Sequence, residues 1–71
     1  MRARDIIIKN IKHHREKNNI SQEELSLRVG KDKDFIKRLE NQEFKRLPPI
    51  WLLISIAREL KVPIQELIYN G

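Results

Sequence analysis

The sequence predicts an all-α fold, a compact bundle of five helices, and three observations carry that expectation. Apolar residues recur at three- and four-residue spacing along most of the chain, as a buried stripe on a helix requires. No segment alternates apolar and polar residues long enough to line one face of a sheet. Ser21, Gly30, Asp32, Pro48 or Pro49, and Pro63 punctuate the chain where helix starts and stops are needed. With 71 residues, the apolar side chains suffice for one core and not for two, so a single domain over residues 1–71 is expected. A core of this size leaves roughly 3 to 5 kcal/mol of net stability, so caps and ion pairs matter.

The first helix is expected over about residues 5–18, with Ile7, Ile8 and Ile11 as its inward stripe and Asn18 and Asn19 ending it. Ser21-Gln22-Glu23-Glu24 matches a capping box, in which the Ser21 hydroxyl accepts from the Glu24 N–H and the Glu24 carboxylate reaches back; Ile20 and Leu25 fit a hydrophobic staple around it. That opens a second helix, 21–29, with Leu25 and Val29 on one face and Gly30 as the left-handed stop. Asp32 is the expected N-cap of a third helix, 32–41, with Ile36 and Leu39 inward. Residues 42–47 read as a loop. Pro48 or Pro49 suits the first turn of a fourth helix, 48–61, whose core stripe is expected to be Ile50, Leu53, Ile54, Ala57 and Leu60. Pro63 opens a fifth, 63–69, with Ile64, Leu67 and Ile68 on its apolar side.

The charge is +5 and unevenly placed: residues 1–20 carry six bases against two acids, while residues 47–71 carry two of each. A basic front half and a neutral, apolar back half suit a domain that meets a polyanion with one face and packs or self-associates with the other. The absence of cysteine excludes disulfide scaffolds and thiolate metal sites and permits folding in a reducing cytosol. Lys9, Asn10 and Lys12 interrupt the Ile6–Ile8 run before it reaches signal-peptide or membrane-spanning length, so a soluble, cytoplasmic protein that does not engage a membrane is expected. His13 and His14 diverge by about 100° on a helix and have no ligating partner four residues away, so no metal site is expected there. No nucleophile, base and orienting group assemble, so an enzyme is not expected, and neither a cofactor nor a small-molecule ligand is evident.

Two short helices, a tight turn containing Gly30 and a capped third helix are what a helix-turn-helix requires, and Ser26 is small enough to let the pair cross closely. The run Ser21-Gln22-Glu23-Glu24-Leu25-Ser26, then Val29-Gly30, Ile36, Leu39-Glu40-Asn41, Ile54, Ala57, Leu60 and Val62, resembles the Cro and phage-repressor (XRE-like) family of helix-turn-helix DNA-binding domains over about residues 7–69. The resemblance implies that Gln22 contacts a DNA phosphate and that Lys33, Asp34 and Arg38 touch base edges. Lys37 shares their exposed side, since 33 and 37, and 34 and 38, are i,i+4 pairs opposite Ile36 and Leu39. Lys33 or Arg38 suits guanine O6 and N7, and Asp34 suits cytosine N4. Lys31, Lys45 and Arg46 flank this helix as phosphate contacts. The resemblance further implies a partly buried structural ion pair between Arg15 and Glu40. The chain departs from the family at Ser26, commonly alanine; at His14, usually apolar; at Phe35, usually serine or threonine; and at acidic Asp34. Phe35 is open to two readings, the edge of the core or a thymine methyl.

Trp51 and Leu52 fall off the expected core stripe and Tyr69 lies near the chain end, so they read either as scattered surface apolars or as a dimer or partner interface. The function implied is a transcriptional regulator that binds double-stranded DNA as a homodimer on a palindromic operator, with repression the favoured outcome. The rival is a protein-interaction module of the same fold, such as an antirepressor, antitoxin or adaptor, that binds its partner through Trp51, Leu52 and Tyr69.

Overall fold

The computed structural model describes residues 2–69, and five helices follow in order: α1 (Ala3–Lys17), α2 (Gln22–Arg28), α3 (Phe35–Glu40), α4 (Ile50–Glu59) and α5 (Gln65–Ile68). Met1, Asn70 and Gly71, included in the expected 1–71 domain, lie outside the described residues. α1 packs against α5 and α3, and α2 packs against α3 and α4, so the first helix closes the bundle and the second holds the third. All-α architecture is therefore established, and among the described residues there is no strand.

Helices α1 to α4 end by one device. In each, the residue after the C-cap turns left-handed: Asn19 (φ 57°), Gly30 (φ 78°), Gln42 (φ 57°) and Lys61 (φ 61°). The next N–H then reaches back five residues, from Ile20 to Arg15 O, Lys31 to Ser26 O, Glu43 to Arg38 O and Val62 to Ala57 O, at 2.9 to 3.1 Å. These are Schellman caps, which satisfy the orphan carbonyls of a helix end and reverse the chain in three residues. Sequence signals the stops at Asn19 and Gly30. Gln42 and Lys61 have no such signature, because their conformation is imposed by the packing that follows rather than preferred by the residue.

The starts are less uniform. Ser21 Oγ accepts from the Glu24 N–H at 2.9 Å, and Ile20 and Leu25 are both buried. The reciprocal half of the expected capping box is absent, because the Glu24 carboxylate pairs with Arg28 one turn on. α3 begins three residues later than expected: Asp32 Oδ1 accepts from the Asp34 N–H at 3.0 Å and Asp32 O accepts from the Phe35 N–H at 3.1 Å, so Asp32 opens a turn rather than the helix itself. Pro49 is the N-cap of α4, which starts at Ile50, and Pro63 opens a single turn leading into α5.

Ile7, Ile8, Ile11, Leu25, Ile36, Leu39, Leu53, Ala57, Leu60 and Leu67 meet in one core. The phase of α4 differs from the expected one. Leu52, Leu53, Ile56, Ala57 and Leu60 are buried, whereas Ile50 and Ile54 are 59% and 43% exposed. The helix is apolar at every position from 50 to 54, so its periodicity does not define a unique inward face; contact with the loop before it and with α2 sets the rotation. Leu52 is thus a core residue and is withdrawn from the candidate interface.

One charged pair is built into this core. Arg15, on α1, donates from Nε to Glu40 Oε2 at 2.7 Å and from Nη2 to Oε1 at 3.0 Å, a fork-to-fork geometry, while its Nη1 donates to Ile20 O at 2.9 Å. Gln22 Nε2 donates to the same Glu40 Oε1 at 2.9 Å. The Arg15 and Glu40 side chains are 10% and 4% exposed. The hydrogen bond to Glu40 is the main cause holding the Arg15 guanidinium above its ordinary pKa, against the opposing effect of burial. Because the folded value is the higher one, this contribution is complete below the ordinary guanidinium range and is lost only at still higher pH.

Two outcomes follow from these contacts. Glu40→Ala strands the Arg15 cation in the core and is expected to lower unfolding stability by about 3 to 5 kcal/mol, enough to leave much of the population unfolded at 25 °C. Urea denaturation followed by circular dichroism measures it, and a loss below about 1 kcal/mol contradicts the role assigned to the pair. Lys61→Gly removes left-handed strain at an exposed helix end and is expected to raise stability by roughly 0.5 to 1 kcal/mol after the entropy cost of glycine; a lowered urea midpoint contradicts it.

Candidate nucleic-acid interface

A helix of six residues has too few internal hydrogen bonds to hold itself, so α3 owes its existence to what surrounds it. Ser26, fully buried in the middle of α2, supplies the main fixture: its Oγ donates to Gln22 O at 2.7 Å and accepts from the Ile36 N–H at 2.9 Å. One hydroxyl therefore satisfies an orphan donor of the first turn of α3 from the helix packed beneath it. Ile36 and Leu39 anchor the inner side, at 0% and 1% exposure. The turn between α2 and α3 runs through the left-handed Gly30, whose missing Cβ faces open space, so the glycine serves conformation and not close packing. Lys37 projects to solvent from the outer side, and Lys33 and Asp34, expected within the helix, are exposed on the turn just before it.

Arg38, also expected to be on this face, stands at its edge and is half-buried. Its Nη2 donates to both Asp32 oxygens, at 3.0 and 3.2 Å, and its guanidinium lies 5.5 Å from the Phe44 ring centre. Phe44 in turn packs on Phe35 with centroids 5.5 Å apart. Lys31 completes the row: its ammonium lies 5.6 Å from the Phe35 ring and 5.7 Å from the Trp51 ring. Cations and aromatic rings thus form one row, Trp51–Lys31–Phe35–Phe44–Arg38, across α4, the turn, α3 and the loop, with cation contacts of about 0.5 to 1 kcal/mol each where exposed. Phe35 is half-buried and packed against the core, the first of its two readings.

Lys45 and Arg46 are exposed on the loop after α3, and the Arg4 guanidinium donates to Lys45 O at 3.2 Å, bringing an α1 cation to the same edge. A groove of about 380 Å³, lined by Lys31, Phe35, Phe44, Lys45, Arg46 and Leu52 among others, separates α3 from the start of α4. The Gln22 side-chain amide is committed to Glu40 instead of standing free. Acids share the face: Asp34 and Glu43 line one shallow depression with Lys37 and Arg38. Trp51 and Tyr69, 60% and 68% exposed, lie on α4 and just past α5 respectively, and the exposed neighbours of Trp51 are Ile50 and Ile54.

Sequence reasoning missed three things: the Ser26 contact to Ile36, the Asp32 to Arg38 contact and the aromatic row. Ser26 was legible as a small residue, but nothing in a sequence says what its hydroxyl will meet. Asp32 and Arg38 are six apart, a spacing that neither helix nor strand brings together, and the turn at Asp32 is what closes the distance. Among the described residues no group of three metal-ligating side chains occurs, and no helix is long and apolar enough to cross a membrane.

The sequence model of the helix-turn-helix family matches residues 11–67. Among solved structures, the crystal structure of a hypothetical transcription factor, NHTF, from Neisseria is similar over 99% of this chain and 78% of that chain, with a TM-score of 0.87 and 21% sequence identity. At that identity the likeness speaks to the fold. No curated protein matches the chain.

Ser26→Ala leaves the Ile36 N–H buried without an acceptor and is expected to cost about 1 to 2 kcal/mol of stability, with an unchanged dependence on denaturant concentration. A urea midpoint equal to that of the parent chain excludes a capping role for the hydroxyl.

Proposed function

This chain belongs to the helix-turn-helix family, and from that premise we propose that it is a sequence-specific transcriptional regulator that binds a palindromic operator as a homodimer and represses transcription. The observation that carries the reading is the outer face formed by the turn before α3 and α3 itself, where Lys33, Asp34 and Lys37 stand in solvent and Arg38 stands at the edge, with the helix clamped from within by Ser26, Ile36 and Leu39.

With α3 in the major groove, Lys33 and Arg38 donate to guanine O6 and N7, Lys37 reaches an adjacent base edge and Asp34 accepts from cytosine N4. Lys31, Lys45 and Arg46, at the ends of the helix, contact phosphates of the flanking strand, and Gln22 adds a phosphate contact on releasing Glu40. Phosphate contacts set register and affinity; the α3 side chains carry the sequence information. One copy carries a single α3, so placing two such helices about 34 Å apart in successive major grooves takes two copies. Ile50, Trp51 and Ile54, contiguous on α4 and exposed, supply an apolar surface for the second copy, with Tyr69 as a further candidate. A domain this small blocks polymerase more readily than it recruits it, which favours repression. The setting is a phage or mobile-element repressor, a restriction-modification controller or an autoregulating antitoxin, in each case acting on DNA in the cytoplasm.

One observation favours the second reading, a protein-interaction module: Trp51 is exposed while Asp34 and Glu43 sit among the cations of the face. Salt separates the two. With about six phosphates neutralised per dimer, the logarithm of the binding constant falls with the logarithm of salt concentration at a slope near −5, whereas an apolar protein interface changes little. Duplexes selected from a random pool define the operator, and Lys33→Ala with Arg38→Ala is expected to abolish preference for it over unrelated duplexes while circular dichroism and the urea midpoint show a folded chain. Unchanged operator preference rejects the assigned face.

A further inference from the structure

Asp32 is an odd residue to find at the rim of a surface built for a polyanion. It is exposed, and its carboxylate engages two partners: Oδ1 accepts from the Asp34 N–H at 3.0 Å, and both oxygens accept from Arg38 Nη2, at 3.2 and 3.0 Å. An ion pair this open contributes little to folding. The Asp34 N–H contact alone accounts for an oxygen acceptor at position 32, and Asn or Ser would serve it without adding negative charge. The charge itself therefore has its effect on Arg38.

The Arg38 guanidinium is held at two points and shut off from solvent at a third. Asp32 takes Nη2, the Phe44 ring lies against the guanidinium with its carbon 5.5 Å from the ring centre, and Nε is buried without an acceptor. Among the described residues Nη1 has no hydrogen-bond partner and, unlike Nε, is not buried, so it is the guanidinium nitrogen left open to an outside acceptor. An arginine guanidinium donor is what guanine O6 and N7 accept in the major groove. A free arginine loses rotamer entropy on being ordered; one already held loses less, and it swings less readily to a nearby phosphate or another base.

We propose that Asp32 is a positioning residue for DNA recognition, holding Arg38 in the orientation that reads guanine, and that it raises discrimination between sequences while lowering affinity for all of them. The proposal rests on the regulator reading and deepens it. The positioning is local, running from the turn through one carboxylate to one guanidinium. Its cost is also local, since a carboxylate beside the phosphate chain repels every duplex alike, matched or mismatched.

The test measures binding of the full chain to its selected operator, to the operator with each guanine replaced in turn, and to an unrelated duplex. Asp32→Asn keeps an acceptor for the Asp34 N–H but removes the charge; Asp32→Ser does the same with a shorter side chain and stands in if the first variant folds poorly. Glu43→Gln removes one charge from the same face without touching Arg38. Both Asp32 variants are expected to bind the unrelated duplex more tightly and to lose about tenfold of the preference for guanine at one position. That position is the one at which Arg38→Gln also loses preference, and Asp32→Asn added to Arg38→Gln changes the preference no further. Glu43→Gln is expected to tighten binding to all duplexes and leave the ratio alone. If Asp32→Asn behaves as Glu43→Gln does, or erodes preference equally with and without Arg38, positioning is overturned while the regulator reading stands. If the parent chain enriches no sequence from the random pool and binds without salt dependence, the regulator reading falls, and the proposal with it.

Discussion

The Glu40 carboxylate is the point on which the arrangement of the first three helices depends. It receives the Arg15 fork from α1 and the Gln22 amide from α2, while itself sitting at the last turn of α3. Arg15 also holds Ile20 O, the carbonyl just before the Ser21 cap. A nearly buried ion pair is weak evidence of stability, since both charges must leave water, but it is strongly directional. Two planar groups joined by two bonds fix distance and orientation together, which apolar packing of Ile11, Leu25 and Leu39 alone does not do. The orientation of α3 relative to the rest of the molecule is the property the proposed function requires, and this contact restrains one end of it.

Ser26 restrains the other end. Between the Ser26 hydroxyl at the first turn and the Glu40 carboxylate at the last, a helix of six residues has both termini tied to neighbours through polar contacts. Such a helix need not be stable in isolation, because the surrounding helices provide the nucleus that the segment lacks. Its solvent side at Lys37, and the turn before it at Lys33 and Asp34, are consequently free of side-chain structural duty, and side chains there can be selected for what they contact outside the protein.

The electrostatics of the face are more mixed than a net charge of +5 implies. Asp32, Asp34 and Glu43 lie among Lys33, Lys37 and Arg38, and the aromatic row from Trp51 to Phe44 draws Lys31 and Arg38 down onto rings instead of leaving them to solvent. A uniformly cationic surface would bind any duplex; acids between the bases lower that general attraction and leave a larger share of the binding energy to contacts that depend on sequence. Ordered cations also give up less entropy on binding than free ones, so part of the cost of recognition is met in folding.

By itself the sequence determined the helical class, the number of helices, the cap at Ser21, the stop at Gly30 and the inward residues of the first three helices, because each rests on a local preference or on a period that only one face of a helix satisfies. Lys37 was legible as outward for the same reason, lying opposite Ile36 and Leu39; Lys33 is outward too, but on the turn before α3 and not on the helix expected there. The rotation of α4 was decided by tertiary structure: a run apolar from Ile50 to Ile54 has no preferred face until neighbours choose one, which buried Leu52 and exposed Ile50 and Ile54. Left-handed Gln42 and Lys61, the Ser26 hydroxyl on Ile36 and the Asp32 carboxylate on Arg38 belong to the same class. Each joins groups whose meeting depends on how the chain reverses between helices, and a reversal imposed by packing leaves no mark on the residues that undergo it.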